Sequence, residues 1–469
     1  MSLLPPPDLP TGARAPQGGR AVQLRARVPG IVHAAIDTID TLHGPRSVVR
    51  VRVGTTDEAG ALSPRDSETI AEAARAALDE RLPVLVELSS SGADIGEGLA
   101  ALHGWGQAAR ALTDCSGIVP TVIVVDGPAV SGPALLLGIA DHVIMTHEAY
   151  AFVSGPQMVE EFTGVPIGKS ELGGSGSHAR HTGVATLVVE DVAAARVAVS
   201  ALFDFLPSHN DELPPTIPTS DPADRPTPEA GDAIPSSPTG SYDVRTVIRT
   251  LADDHEMLEL RAAWAPNLVT AFGSIDGCPV GFVANQPSAL AGTLDIQASQ
   301  KGARFVSFCD AFGIPLVTLV DTPGFYPGKD LEWRGMIRHG AQMAFAYARA
   351  TVPRVNVTLR KSYGGAYIVM DSKRMGNDLA LAWPSAEIAV MGAKGAVEIL
   401  HRRATPEQRG ELERAYETRL LNPYIAAERG FIDAVVDPAD TRRELAAALA
   451  ALADKREHIA HRGHDNSPL

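Results

Sequence analysis

The sequence is poor in the features that would place a protein outside the cell or in a membrane. Only three cysteines, Cys115, Cys278 and Cys309, occur in 469 residues, and none stands in CxxC spacing. That excludes a disulfide framework and a zinc ribbon, and leaves each as a small core residue. No apolar run approaches the roughly twenty residues that cross a bilayer, and the opening MSLLPPPDLP has no signal-peptide core. We therefore expect no membrane association and a reducing, cytoplasmic setting. Excess positive charge is absent as well. A net charge of −15 and a pI near 5.4 argue against a nucleic-acid surface, so any anion has to be held in a local pocket.

What the chain does hold is length for two or three domains and 45% apolar residues to fill their cores. Its most informative stretch is LRKSYGGAYIVMDSKRMGNDLALAWPSAEIAVMGAKG, residues 359–395. An apolar run over 352–359 stops at Arg360 and Lys361, and Gly364, Gly365 and Ala366 then open a segment with helical spacing. Glycine lets a backbone approach a ligand, and the first N–H groups of a helix have no internal partner, so the turn is a candidate oxyanion hole. A lone GG pair also serves simply to pack a helix closely on a sheet.

Taken in order, residues 1–28 are rich in Pro, Gly and Arg and lack a period, the composition of a disordered extension. Residues 29–206 read as a first domain. Helical spacing over 67–82 feeds the apolar run 83–88, a second helix reaches Leu112, and a strand is expected over 119–127. A small-residue turn follows at Val130, Ser131 and Gly132. Two short strand-like runs lie within 141–156, a helix-like segment runs to Thr163, and 172–191 adds a glycine-rich loop and another apolar run. Residues 207–240 hold nine prolines among Ser, Thr, Asp and Glu, as an extended linker would. Residues 241–469 form a second domain.

The second half repeats the first. Residues 298–324 follow the order of 67–92, VPRVNVTLRKSYGGAYIVM follows VPTVIVVDGPAVSGPALLL, 386–400 follows the stretch from Ala149, and ERGFIDAVVD follows RHTGVATLVVED. The offset stays at roughly 230 to 250 positions, the mark of a duplicated domain. Other motifs fall away. DTPGF at 321–325 looks like a GTPase element, but GVPIGKS is one residue short of a phosphate loop and follows no strand. A nucleophile elbow at 173–177 also lacks its strand. His178 and His181 have no identifiable acid partner, and His458, His461 and His464 sit in a polar tail.

A set of motifs over the last two-thirds of the chain resembles one family closely. They are SGPQMVEEFTG, LGG before His178, YDVRTVIRTLAD, ANQP, SQKGARFVSFCDAFGIPLVTLVDTPGF, RHGAQMAFAYARATVP, RKSYGGAY, LAWPSAEIAVMGAKGAVEILHRR, LLNPYIAAERGFIDAVVDPADTRR and NSPL. The sequence resembles the carboxyltransferase (β) subunits of biotin-dependent acyl-CoA carboxylases, especially the propionyl-CoA carboxylase type of actinobacteria. The resemblance implies an α/β fold of two tandem crotonase-like (ClpP/crotonase) ββα superhelix domains, with acyl-CoA on the N-terminal domain and carboxybiotin on the C-terminal one. It implies carboxyl transfer to the α-carbon of an acyl thioester through an enolate, with two oxyanions held by backbone donors. The implied donors are Ser131 and Gly132 in the first half and Gly365 and Ala366 in the second. Gly364, Tyr367 and Ile368 then stand on the biotin side, Ile368 also lining the acyl pocket. Gly92, Ala93, Gly155, Gly173 and Gly174 stand on the acyl-thioester side. No metal is implied.

Partners follow from the same resemblance. The chain has neither an ATP-binding carboxylase module nor a Met-Lys-Met biotin site, so biotin is expected on a biotinylated biotin-carboxylase (α) subunit, and the assembly is expected to be a homo- or hetero-hexamer. Departures concentrate in the first half. Where the family reads AGGA, this chain has Val130, Ser131, Gly132 and Pro133, and where it reads SGGARxxEG, Asp94 replaces the arginine. Three readings follow: an active carboxyltransferase, with CoA or an acyl carrier protein as the thioester carrier; a noncatalytic partner subunit; or a biotin-independent decarboxylase or transferase.

Overall fold

The computed structural model of the chain describes residues 22–24, 30–54, 60–455, 457, 459–460 and 466–468. His458, His461 and His464 lie outside the described residues, as do residues 1–21 and 25–28 of the expected extension. Val22–Leu24 of that extension is a strand, paired antiparallel with the next. The chain divides into two compact units between Glu212 and Leu213.

In the first unit the strands are β1 (Val22–Leu24), β2 (His33–Thr41), β3 (Gly44–Val53), β4 (Gly60–Leu62), β5 (Val84–Ala93), β6 (Thr121–Val130), β7 (His142–Thr146), β8 (Tyr150–Phe152) and β9 (Leu187–Val189). Their sheet order is β1-β2-β3-β5-β6-β7-β9, with β4 beside β5 and β8 beside β6. The second unit has β10 (Leu258–Leu260), β11 (Leu268–Ile275), β12 (Cys278–Asn285), β13 (Leu316–Thr322), β14 (Arg354–Tyr363), β15 (Leu379–Ala382), β16 (Glu387–Ala389) and β17 (Ala434–Val435). Its order is β10-β11-β12-β13-β14-β15-β17, with β16 beside β14. The repeat read in the sequence is thus a repeat of topology. Register breaks fall at equivalent points, Leu88/Ser90 and Val320/Thr322. Beyond the break, the end of β6 pairs with β8 and the end of β14 with β16. The chain turns into a helix directly after each of those two strand ends.

The central strands are parallel and covered on both faces, which is why they read as unbroken apolar runs. Every residue of β13 is buried. In the first unit Val49, Val51, Val53, Val86, Ile123 and Val125 pack with Ile70, Ala71, Ala74 and Ala77 of the helix Pro64–Glu80. Each such valine or isoleucine contributes about 2 kcal/mol by leaving water. That helix starts three residues earlier than its hydrophobic spacing predicts, because Ser63 and Asp66 form a capping box and Pro64 takes the first turn.

The segment 207–240 differs from the linker its composition describes. From Leu213 onward it packs on the second unit: Ile217 N–H donates to Gly277 O at 2.8 Å, Thr227 N–H to Ala439 O at 2.8 Å, and Ala230 is fully buried. Proline lacks a donor but keeps its carbonyl, and the buried Arg442 donates through Nε to Pro222 O at 3.1 Å.

Candidate active site

β14 ends at Tyr363, paired with Ala389 of β16. The chain then reverses at Gly364, whose φ of +60° suits glycine and whose added Cβ would lie 3.2 Å from Val390 O. The helix Gly364–Val369 begins there. Its first N–H groups have no acceptor within the helix, and among the described residues those of Gly365 and Ala366 have none elsewhere. Gly365 is exposed and Ala366 fully buried. An oxygen arriving at Gly365 therefore meets N–H dipoles that the helix start already aligns. Tyr367 is half-buried and Ile368 is 39% exposed beside them.

A buried polar network fixes this turn from beneath. Asp321, in the DTPGF motif, accepts from Tyr242 Oη at 2.9 Å, Arg360 Nε at 3.0 Å and Lys361 N–H at 3.1 Å. Arg360 also donates to Gly240 O at 2.9 Å, and Lys361 Nζ to Pro238 O. The proline-rich segment thereby holds the end of β14. Burial pushes the Asp321 carboxyl above its ordinary range, opposed chiefly by Arg360. Phe325, at the end of the same motif, packs against Gly365: a Cβ there would stand 3.4 Å from the ring. Past the helix, Asp371 (φ +57°) pairs with Arg354 Nη1 at 2.6 Å, both fully buried. Burial raises Asp371 to about 6.

The first turn is built differently. β6 and β14 are both ten residues long, and the residue after each has positive φ, +63° at Ser131 and +60° at Gly364. Ser131 therefore corresponds to Gly364, Gly132 to Gly365 and Pro133 to Ala366. This corrects by one residue the pairing of Ser131 and Gly132 with Gly365 and Ala366. The N–H of Ser131 donates to Phe152 O at 2.9 Å, so it is committed to the backbone, and Pro133 has no N–H. Gly132 alone keeps a donor of that pair. The indole of Trp105 lies against it: a Cβ on Gly132 would come within 2.6 Å of Nε1.

The other expected acyl-side residues gather around β8. Gly155 caps the helix Pro156–Thr163 and faces the Phe152 ring. Gly173 has no room for a Cβ, which would fall 2.0 Å from Ala151 O, and Gly174 bridges to Tyr150. Gly92 (φ +113°) sits under Ser131, followed by Ala93 at the end of β5. His178 is a packing residue, its Nε2 2.8 Å from Ala151 O and its Nδ1 2.9 Å from Thr182 Oγ1. Asp94 accepts from Gly96 N–H at 2.9 Å, and Lys169 lies over the Tyr150 ring. Sequence reasoning missed Trp105, Tyr242 and the Asp321–Arg360 pair. The basic residues directly before the glycine turn were the available signal for the last. Among the described residues no cluster of three or more His, Cys, Asp or Glu could hold a metal.

Two mixed-sheet units, each ending a central parallel strand in a tight turn that opens a helix, define the crotonase-like class of fold. The profile of the carboxyl transferase domain matches residues 39–467. The propionyl-CoA carboxylase beta chain of Roseobacter denitrificans is 43% identical over 413 residues, 87% of this chain and 81% of that one. The methylmalonyl-CoA carboxyltransferase 12S subunit of Propionibacterium freudenreichii subsp. shermanii is 43% identical over 416 residues, 87% of this chain and 79% of that one. The crystal structure of a transcarboxylase 12S hexamer with methylmalonyl-CoA bound superposes with a TM-score of 0.91 at 38% identity, covering 97% of this chain and 91% of that one. The chain belongs to the carboxyltransferase family of biotin-dependent acyl-CoA carboxylases. It is an acyl-CoA carboxyltransferase subunit of tandem crotonase-like fold. No described helix is long and apolar enough to cross a membrane.

Proposed function

We propose that this chain carboxylates a short acyl-CoA at its α-carbon, with carboxybiotin carried by a separate biotinylated carboxylase subunit in a hexameric assembly. The observation that carries this reading is the acceptor-free pair of N–H groups at Gly365 and Ala366. When bound, carboxybiotin would supply the carboxyl group and a ureido nitrogen able to act as base toward the α-proton, with Gly365 and Ala366 the residues that would hold it. The Gly365 and Ala366 donors fit the ureido oxygen, because negative charge develops there as CO2 leaves and preorganised N–H dipoles lower that barrier. Gly364, Tyr367 and Ile368 line the approach. Gly132 faces the thioester side, where the enolate oxygen needs a donor. The exposure of Gly365 lets the ring reach its donors, while Asp321 and Arg360 keep them from reorganising.

Incorporation of labelled bicarbonate tests the reading. Purified protein is mixed with a biotinylated carboxylase subunit, ATP and acetyl-, propionyl- or butyryl-thioesters of CoA or of acyl carrier protein. Acid-stable label in a CoA product is expected. No label with any thioester would overturn it. The committed Ser131 N–H and Pro133 favour a second reading, a noncatalytic partner, and label appearing only after a paralogous subunit is added would establish that one.

A further inference from the structure

We propose that Trp105 supplies, through its indole N–H, the second donor of the acyl-side oxyanion site, in the place where a backbone N–H is missing. This rests on the carboxyltransferase reading above and identifies a residue that acts in it. Stabilising an enolate oxygen takes donors fixed in advance around one point. At the first turn the backbone cannot supply two: Ser131 N–H is spent on Phe152 O at 2.9 Å, Pro133 has no N–H, and Gly132 is left. The Nε1 atom of Trp105 is buried and, among the described residues, has no hydrogen-bond acceptor. A buried donor without an acceptor costs stability unless something else uses it. It also stands at the right residue. The indole is so close to Gly132 that a Cβ there would come within 2.6 Å of Nε1, 2.7 Å of Cε2 and 3.1 Å of Cζ2.

The placement is set from two sides. Trp105 lies on the helix Leu99–Cys115, whose Gly104 packs so closely on Pro64 and Ser67 that a Cβ would come within about 3.1 Å of them. The helix is thereby pressed toward the helix Pro64–Glu80. On the other side Ser131 holds φ +63° and ψ −148°, a conformation that costs a non-glycine residue energy and persists only where the surroundings enforce it. An indole N–H and one backbone N–H at the same glycine make two donors, as the second turn has in two backbone N–H groups. The ligand chemistry is a thioester carbonyl that becomes an enolate oxygen.

The test compares kcat and KM for acyl-CoA carboxylation in the complete enzyme with its biotinylated partner. Trp105→Phe removes the N–H and should lower kcat about 100-fold, as loss of one oxyanion donor does, with KM unchanged. Incorporation of 3-benzothienylalanine at position 105 keeps the bicyclic ring and loses only the N–H, and should do the same without changing Tm. Pro133→Ala restores the missing backbone N–H, and in the Trp105→Phe background it should recover at least about tenfold in kcat. Full kcat in the benzothienyl variant, or no recovery in the double variant, overturns the proposal. Absence of transfer by the unmodified protein overturns the carboxyltransferase reading instead, so the two failures are distinct.

Discussion

Replacing Ala366 with proline tests the second turn directly, because proline deletes the donor and keeps most of the fold. Ala366 is the third residue of the helix Gly364–Val369, so its N–H makes no intrahelical bond. Proline is tolerated in a first helical turn, and the preceding Gly365 accepts the restriction that proline places on its neighbour. The folding cost should therefore be near 1 kcal/mol, the scale of a local backbone change. The catalytic cost is larger. Losing one oxyanion donor raises the barrier by about 3–4 kcal/mol, a fall in kcat of about 100- to 1,000-fold with little change in KM for acyl-CoA. Ala366→Gly is the control: it keeps the N–H, costs about 1 kcal/mol of stability and should keep kcat. Initial rates of label transfer, with Tm measured in parallel, separate the two costs. Wild-type kcat in a folded Ala366→Pro enzyme would refute the assignment of this N–H to the chemistry.

Three further outcomes follow from the same structure. Ser131→Gly should stabilise the first unit by about 1 kcal/mol, because glycine adopts φ +63° and ψ −148° without strain; a thermal melt should move up by about 2–4 °C. Lys301, fully buried on the helix Ile296–Ala311, donates to the carbonyls of Arg261 at 3.0 Å, Trp264 at 2.9 Å and Ala265 at 3.4 Å. Lys301→Met should cost about 3 kcal/mol in urea unfolding, since it strands those acceptors. Burial also pulls the Lys301 pKa from 10.5 to about 7. Between those values the unfolded chain binds more protons than the folded one, so stability should rise with pH across the window and be lost as pH falls toward 7. Lys301→Met should lack that slope, and an identical slope in both proteins would count against it. Arg360→Ala breaks a buried ion pair and should cost about 3–5 kcal/mol. It should also loosen residues 237–240, where Arg360 holds the Ser237 and Gly240 carbonyls, for protease cleavage, and unchanged resistance there would show that Arg360 does not anchor them.

The strand-turn-helix at β14 was legible because its elements are local: an apolar run, two basic residues and a glycine pair in sequence. The duplication was legible because topology preserved the order of those runs. The register of the two turns was legible but overridden. The ungapped match of the stretches starting at Val119 and Val352 sets Ser131 against Gly364, whereas matching small residue types sets Ser131 and Gly132 against Gly365 and Ala366, and the positive φ of Ser131 and Gly364 agrees with the first. Trp105 was invisible because it reaches Gly132 across the packing of a helix, with no sequence pattern linking them. The proline-rich segment was misread because composition records missing donors, whereas Arg360, Lys361 and Arg442 use its carbonyls.

The two turns share one fold but are stabilised by different forces. Where the second unit has Asp321 and Arg360, strand register places Ser89 and Gly127 in the first. Ser89 Oγ is buried with no partner among the described residues, so no ion pair ties β5 to β6 there. The first turn instead rests on contacts: Trp105 against Gly132, Gly92 beneath Ser131, and the Ser131 N–H on Phe152 O. A turn fixed by a buried ion pair keeps two backbone donors free, because the holding groups are side chains. In the first turn the position matching Ala366 is Pro133, which has no N–H, so Gly132 is the one backbone donor of that pair, and it is there that the indole N–H of Trp105 is proposed to act.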